Sequence, residues 1–168
     1  MESNVSQPDF VKVSLEVNGS VCERHVEPRK TLADFLREDL GFTGVNLGCE
    51  HGVCGACSIL LDGEVIRSCI LLAAQADGCK ITTIEGLAEG EKVHPVQQAF
   101  LDHHALQCGF CTPGMIMAAV DLLSRASNPS ETQIRDALSG NLCMCTGYVN
   151  IVRAVQAAAK KMALVRHE

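Results

Sequence analysis

The sequence predicts an α+β fold in which strands and short helices occupy the first half of the chain and helices alone occupy the second. The first half carries two hairpin signals, Asn18-Gly19 and Asp62-Gly63, each between short strand-like runs. The second half instead repeats its apolar residues at helical spacing. The small polar stretch Gly86–Glu91 separates the two patterns, so we expect one domain over residues 1–86 and another over 87–168.

The first half is expected to hold five strands and two helices around one loop. Its strands are predicted at Phe10–Asn18, Ser20–Glu27, Ser58–Asp62, Glu64–Arg67 and Lys80–Ile84. Its helices are predicted at Leu32–Leu40, with Thr31 as the N-cap, and at Cys69–Ala76. The stretch Gly41–Cys57 has no period and is rich in Gly and Cys, which indicates a loop. This order of elements is a ferredoxin-like α+β pattern.

The second half is expected to be a four-helix arrangement. The helices are predicted at Pro95–His103, Pro113–Arg125, Glu131–Leu138 and Val149–Leu164. Thr112 before Pro113 suits an N-cap followed by proline at the first helical position, and Ser130 suits the next cap. In the last helix Val152, Val155, Ala159 and Met162 form one apolar stripe.

Composition excludes several classes of function. Fourteen Lys+Arg against 20 Asp+Glu give a net charge of −6 without a basic cluster, which argues against a nucleic-acid partner. The apolar runs are too short to span a bilayer, and the polar start Met1–Asp9 lacks a secretory signal, so we expect a cytoplasmic protein. The sequence has no glycine-rich nucleotide-binding motif and no candidate nucleophile paired with a general base. We therefore expect no catalytic residue in this chain.

The ten cysteines are the unusual feature. In a chain without a secretory signal they favour metal or cluster ligation over a disulfide framework. The first set is Cys49, Cys54, Cys57 and Cys69. Its opening spacing, C-x4-C-x2-C, is that of plant-type [2Fe–2S] sites. The interleaved glycines allow backbone N–H groups to approach the cluster sulfurs, which stabilises an added electron.

Two alternatives to a [2Fe–2S] cluster fit the first set less well. A structural zinc site usually has two C-x2–4-C pairs, and only Cys54 and Cys57 form one. A Rieske centre needs two histidine ligands. Cys49-Glu50-His51 imitates its first box, but Cys57 stands where the second box requires histidine.

The second set is Cys108, Cys111, Cys143 and Cys145, as C-x2-C and a distant C-x-C. Spacing alone leaves three interpretations open: an iron–sulfur cluster, a zinc site and a redox disulfide. Both pairs precede predicted helix starts, where the helix dipole favours negative charge, and this favours the cluster. Of the remaining candidates, Cys22 and Cys79 are expected to be small buried hydrophobic residues, and His103-His104 surface or helix-end residues.

Long motifs then make the chain resemble the small iron–sulfur subunit of the molybdenum hydroxylases, the xanthine oxidase family. The residues that carry the resemblance are Gly48–Cys57, Cys69, Gln107–Met115 and Asn141–Tyr148. Many members have Arg before the C-x-C pair where this chain has Leu142, a difference that leaves the ligands untouched.

The resemblance implies an N-terminal β-grasp ferredoxin domain and a C-terminal four-helix bundle domain. It implies that the first cysteine set binds one [2Fe–2S] cluster, facing the FAD of a medium subunit. The second set would bind another cluster beside the molybdopterin, of the cytosine dinucleotide type, in a large subunit. Gln107 and Cys145 match the residues that contact the pterin.

In such a complex, a dimer of heterotrimers, electrons would run from the molybdopterin site through both clusters to FAD. The resemblance implies an N-heteroaromatic substrate such as quinoline for the complex, and a carbon monoxide dehydrogenase-type complex is the alternative. A free-standing two-cluster ferredoxin is a further alternative.

Overall fold

The computed structural model describes residues 9–165. The polar start discussed above, Met1–Asp9, therefore lies outside the described residues except for Asp9. The described part is an α+β structure with a mixed sheet in its first half and helices in its second, as the sequence predicts.

The first half is built on a five-stranded sheet in the order β2-β1-β5-β3-β4. The strands are β1 (Val11–Val17), β2 (Ser20–Val26), β3 (Ser58–Leu61), β4 (Glu64–Arg67) and β5 (Lys80–Thr82). β1 and β5 run parallel, and all other neighbours are antiparallel. Both predicted hairpin turns are confirmed: Asn18 and Gly19 have φ of 51° and 79°, and Asp62 and Gly63 have 50° and 90°.

One face of β1 forms the core of this half. The alternation with polar residues predicts one buried face made of Val11, Val13, Leu15 and Val17, and the last three are buried whereas Val11 is 40% exposed. They pack with the helical segment α1 (Leu32–Asp34), which continues as a π-helix over Phe35–Asp39. The predicted cap is confirmed, because the Thr31 hydroxyl accepts a hydrogen bond from the Asp34 amide at 3.1 Å.

Two predicted elements near the end of this half differ in the structure. The helix expected over Cys69–Ala76 is replaced by two 3₁₀ turns, Ser68–Ile70 and Ala73–Ala76. The chain between them is extended because the Leu71 carbonyl accepts from the Leu32 amide at 2.7 Å, a long-range bond that helical periodicity does not reveal. The last strand ends at Thr82, before a 3₁₀ turn over Ile84–Gly86.

Four helices make up the second half: α2 (Pro95–Asp102), α3 (Thr112–Arg125), α4 (Glu131–Leu138) and α5 (Val149–Val165). They share one core, to which each contributes buried side chains; the largest include Phe100, Met115, Ile134 and Ile151. The predicted stripe of α5 faces this core, with Val152, Val155 and Ala159 buried and Met162 half-buried.

The predicted cap of α3 is wrong by one residue, whereas that of α4 is confirmed. Cys111 occupies the N-cap position, because its carbonyl already accepts the first helical hydrogen bond, from Met115 at 3.0 Å. Ser130 caps α4 and accepts from the Gln133 amide at 3.2 Å.

The two halves pack against each other through β3, β4 and α3, and the half-buried side chains of Val65 and Ile84 join the helical core. Among the described residues, 9–165, no helix combines the length and apolar character required to cross a bilayer.

His94 makes the start of α2 sensitive to pH. Its ring nitrogen Nδ1 accepts a hydrogen bond from the Val96 amide at 3.2 Å, which only the unprotonated nitrogen can do. Burial lowers the pKa of His94, and nearby Glu89 offsets part of this effect. The folded chain therefore binds this proton more weakly than the unfolded chain. The contribution of the His94 cap to folding stability is complete above pH ~6.5 and is lost as the pH falls below that value.

We expect the protection factor of the Val96 amide, which is the ratio of its intrinsic to its observed exchange rate, to fall several-fold between pH 8 and pH 5, because about 1 kcal/mol of capping is lost. The control is His94→Asn, whose side-chain oxygen accepts at every pH. An identical pH response in both proteins would contradict this role for His94.

Candidate metal centres

The first cysteine set forms two pairs of neighbouring sulfurs. The loop after Leu47 folds back so that the Cys54 amide donates to the Cys49 Sγ at 3.3 Å. Cys57 and Cys69 are both buried and adjacent, because Ser68 binds the Cys57 carbonyl through its amide at 3.4 Å and its hydroxyl at 2.7 Å. The four cysteines that the sequence assigns to the first set therefore lie in two pairs, with Cys49 close enough to Cys69 to contribute to its raised pKa.

The two pairs of the first set differ in their electrostatics. Hydrogen bonds from the backbone N–H groups of His51 and Cys54 lower the pKa of the Cys49 thiol to about 6. Burial, followed by the neighbouring Cys57 thiol, raises the pKa of Cys69 to about 11. The Cys49 side therefore carries the amide donors that a thiolate requires, whereas the Cys69 side needs a positive ion to hold its charge.

The second set also consists of two pairs. The sulfurs of Cys108 and Cys145 are 3.5 Å apart at the protein surface. Cys111 at the N-cap of α3 neighbours Cys143, whose amide donates to the Tyr148 hydroxyl oxygen at 2.7 Å. The C-x2-C and C-x-C motifs thus meet crosswise, each pair taking one cysteine from each motif.

The half-buried pair of the second set, Cys111 and Cys143, again joins a thiol with raised pKa to one with lowered pKa. Burial, then the Cys143 neighbour, raises the pKa of Cys111 to about 12. Burial also acts on Cys143, but the hydroxyl and amide of Thr146 outweigh it and lower the pKa to about 7. The Cys108 thiol raises the pKa of Cys145.

This pairwise arrangement fits a two-iron cluster in each set. Across residues 9–165, no group of three or more His, Cys, Asp or Glu side chains is placed to hold a single metal ion. The sulfurs instead meet two by two, and in a [2Fe–2S] cluster with four thiolates each iron takes two of them. The backbone donors at Cys49 and Cys143 are of the kind that tunes such clusters.

The predicted pterin contacts lie together on the surface. Gln107 is exposed, as are Cys108 beside it and Cys145, whose sulfur neighbours that of Cys108. Met144 is 99% exposed between two ligand candidates. An apolar side chain in that position leaves this end of the second set open to contact by another molecule.

Sequence reasoning missed the residues that join the two sets. Asn141 is 1% exposed and donates through Nδ2 to the Gly55 carbonyl at 3.0 Å and the Ser58 hydroxyl at 3.2 Å. Arg67 donates to the same hydroxyl at 2.7 Å and to the Gly140 carbonyl at 2.8 Å. Asn141 belongs to a motif that carries the family resemblance, but the sequence assigned it no function. Arg67 belongs to a predicted strand, and nothing in the sequence indicated a contact with the second set.

The backbone also connects the two sets directly. The Leu142 amide, one residue before Cys143, donates to the Cys54 carbonyl at 2.8 Å. Phe110, between the cysteines of the C-x2-C pair, has its carbonyl bound by the Asn46 side chain at 2.9 Å. The two cysteine sets are therefore in contact through residues adjacent to their ligand candidates.

The remaining candidates agree in part with their predictions. Cys22 is half-buried and packs on the core of the sheet domain, and Cys79 is half-buried near Asp77. Both are therefore less buried than expected. His103 and His104 are exposed at the end of α2, as predicted.

Comparison with known proteins identifies the family. A model described as "2Fe-2S iron-sulfur cluster binding domain" matches residues 15–86, and one described as "[2Fe-2S] binding domain" matches residues 83–156. The chain is 55% identical over 150 residues to the nicotine 6-hydroxylase small subunit of Paenarthrobacter nicotinovorans, with 89% of this chain and 90% of that one covered. The chain belongs to the small iron–sulfur subunits of the molybdenum hydroxylases.

Two further relatives resemble this iron–sulfur subunit over nearly their whole length. The caffeine dehydrogenase subunit gamma of a Pseudomonas species is 48% identical, with 93% of this chain and 95% of the relative covered. In the crystal structure of quinoline 2-oxidoreductase from Pseudomonas putida 86, one chain matches with a TM-score of 0.89 at 49% identity, covering 92% of this chain and 97% of that one.

The contact between the two sets leaves no room for a side chain at Gly55. This glycine has a φ of 73°, and a Cβ built on it would lie 2.5 Å from the Gly140 carbonyl oxygen. Gly63 has a φ of 90° with nothing within 4 Å of its Cβ position. A substitution at Gly63 therefore adds backbone strain but no steric overlap.

We expect Gly55→Ala to cost about 1–3 kcal/mol more stability than Gly63→Ala, because only the first adds overpacking to strain. Thermal unfolding and iron content of the two variants measure the difference. Equal losses would show that the loops can separate freely.

Proposed function

We propose that this chain relays electrons between the molybdopterin site of a large subunit and the FAD of a medium subunit. The observation that carries the proposal is the presence of two sets of paired cysteines that are connected through the residues next to them. Each [2Fe–2S] group supplies one-electron redox chemistry when bound. The protein positions the groups and sets their electrostatic surroundings.

The ligand assignment is part of this proposal. Cys49, Cys54, Cys57 and Cys69 hold the first cluster, and Cys108, Cys111, Cys143 and Cys145 hold the second. The pairing of the sulfurs supports this assignment, as do the amide donors at Cys49 and Cys143. We further propose a β-grasp description for the sheet domain, a four-helix bundle for the second, and a boundary between 86 and 87.

The partner side of the proposal rests on exposure at the second set. Gln107 and Cys145 contact the pterin, of the cytosine dinucleotide type, and the exposed Met144 packs on the large subunit. The resemblance extends the proposal to a dimer of heterotrimers in the cytoplasm.

For the complex as a whole we propose an N-heteroaromatic substrate. The three relatives described above are named for nicotine, caffeine and quinoline, which all contain a nitrogen heteroaromatic ring, whereas other relatives are aldehyde oxidoreductases. No residue of this chain is proposed to touch the substrate.

Metal analysis tests the ligand assignment. We expect about four irons and about four acid-labile sulfides per chain, since each cluster carries two of each, and no zinc. Reduction should give two distinguishable paramagnetic signals. Cys54→Ser should damage one signal and Cys111→Ser the other, with Cys22→Ser as the control that changes neither. Zinc in the helical half, or loss of both signals in every variant, would refute the assignment.

Gel filtration of the native complex tests the subunit role. A subunit co-elutes with two larger chains, whereas a free-standing ferredoxin elutes alone. We expect Met144→Glu to weaken co-elution, because it places a charge in an apolar contact, while iron content stays unchanged. Val21→Glu is the control, since Val21 is 76% exposed on the sheet edge strand β2. Equal effects of the two substitutions on co-elution would show that the second cysteine set is not where the partner subunit binds.

A further inference from the structure

We infer that Arg67 and Asn141 are positioning residues that fix the distance between the two cysteine sets. The inference rests on the proposed function, because the distance matters only if both sets hold clusters. Neither residue is a ligand candidate, and neither contacts a sulfur in the hydrogen-bond pattern described above.

The polar network around Asn141 spans both domains. Its amide nitrogen reaches the Gly55 carbonyl in the first cysteine loop, between Cys54 and Cys57. Its amide oxygen accepts from Arg67 at 3.1 Å, and Arg67 also reaches the Gly140 carbonyl at 2.8 Å. Both polar ends of this buried side chain are thus engaged, which gives its position little freedom.

The Ser58 hydroxyl completes the network on the first-domain side. It donates to the Gly55 carbonyl at 2.6 Å and accepts from Arg67 at 2.7 Å and from Asn141 at 3.2 Å. These bonds hold the end of the first loop to the residue two positions before Cys143.

Close backbone approach makes this contact rigid. A Cβ on Gly114, three residues after Cys111, would overlap the Gly55 carbonyl oxygen. The Leu142 amide also donates a hydrogen bond to the Cys54 carbonyl at 2.8 Å. This bond links one ligand candidate, Cys54, to the residue next to another, Cys143. Since the packed glycines admit no extra atoms, the loops cannot move closer together. Moving them apart would have to break the Arg67–Asn141 network together with the hydrogen bond from the Leu142 amide to the Cys54 carbonyl.

The consequence is a single fixed separation between the two sites. Exchange between them moves one electron from the reduced to the oxidised site and makes or breaks no bond. Both the exchange rate and the magnetic coupling of two reduced clusters fall as the separation grows. Arg67 and Asn141 should therefore influence both, although they lie outside either ligand set.

The test uses the assembled complex carrying Asn141→Leu or Arg67→Met, which remove the hydrogen bonds while keeping much of the side-chain volume. The controls are Asn150→Leu and Arg24→Met. Among the hydrogen bonds of residues 9–165, the Asn150 side chain binds the His104 carbonyl at 3.4 Å and the Arg24 side chain binds the neighbouring Glu23 carbonyl, and neither reaches the junction. Iron and sulfide content, low-temperature EPR of the fully reduced complex, and the rate of electron redistribution between the sites are measured.

We expect both junction variants to keep their iron and both signals, to lose the splitting caused by coupling between the clusters, and to redistribute electrons more slowly than the controls. Unchanged splitting with full iron content would overturn the inference and leave the proposed function intact. Loss of iron in both variants would assign these residues to folding alone and would also overturn it. Failure of the unsubstituted complex to show two clusters would instead refute the proposed function.

Discussion

The structure depends on bringing thiolates close together although like charges repel. In each set the chain moderates this repulsion unequally. Cys49 and Cys143 receive hydrogen bonds that lower their pKa values, whereas burial raises those of Cys69 and Cys111. The first kind of thiol is ready to bind metal at neutral pH, and the second releases its proton when a cation arrives. Proton release from these thiols on iron binding is therefore coupled to the packing of both loops.

The sequence predicted this arrangement best where the determining residues are close together in the chain. The C-x4-C-x2-C spacing places three ligand candidates within one loop, so spacing alone pointed to the site. The second set joins two distant motifs crosswise, as in Cys108 with Cys145. The spacing of apolar residues along the sequence does not indicate such a pairing. Its identification needed the resemblance to a family. The hairpins at Asn18-Gly19 and Asp62-Gly63 were predictable for the same local reason.

The errors share a physical cause, which is hydrogen bonding between distant residues. Leu71 is extended because it binds the amide of Leu32, so the expected continuous helix there does not form. The junction pairs Arg67, a strand residue, with Asn141, a motif residue 74 positions later in the sequence. No local preference of either residue signals the partner. Such contacts become visible only when the backbone of both halves is in place.

The Arg67–Asn141 junction joins the two halves at a point between the two cysteine sets. Met144 and Cys145 are exposed at one side, while Val53 is 56% exposed beside Cys54 in the other set. A single small domain would place one cluster near one partner only. In the proposed relay, the hydrogen bonds of Asn141 hold the two halves together, so that each set can face a different partner at a fixed internal distance. A fixed junction between two sets that each have an exposed neighbouring residue is therefore what the proposed electron relay requires.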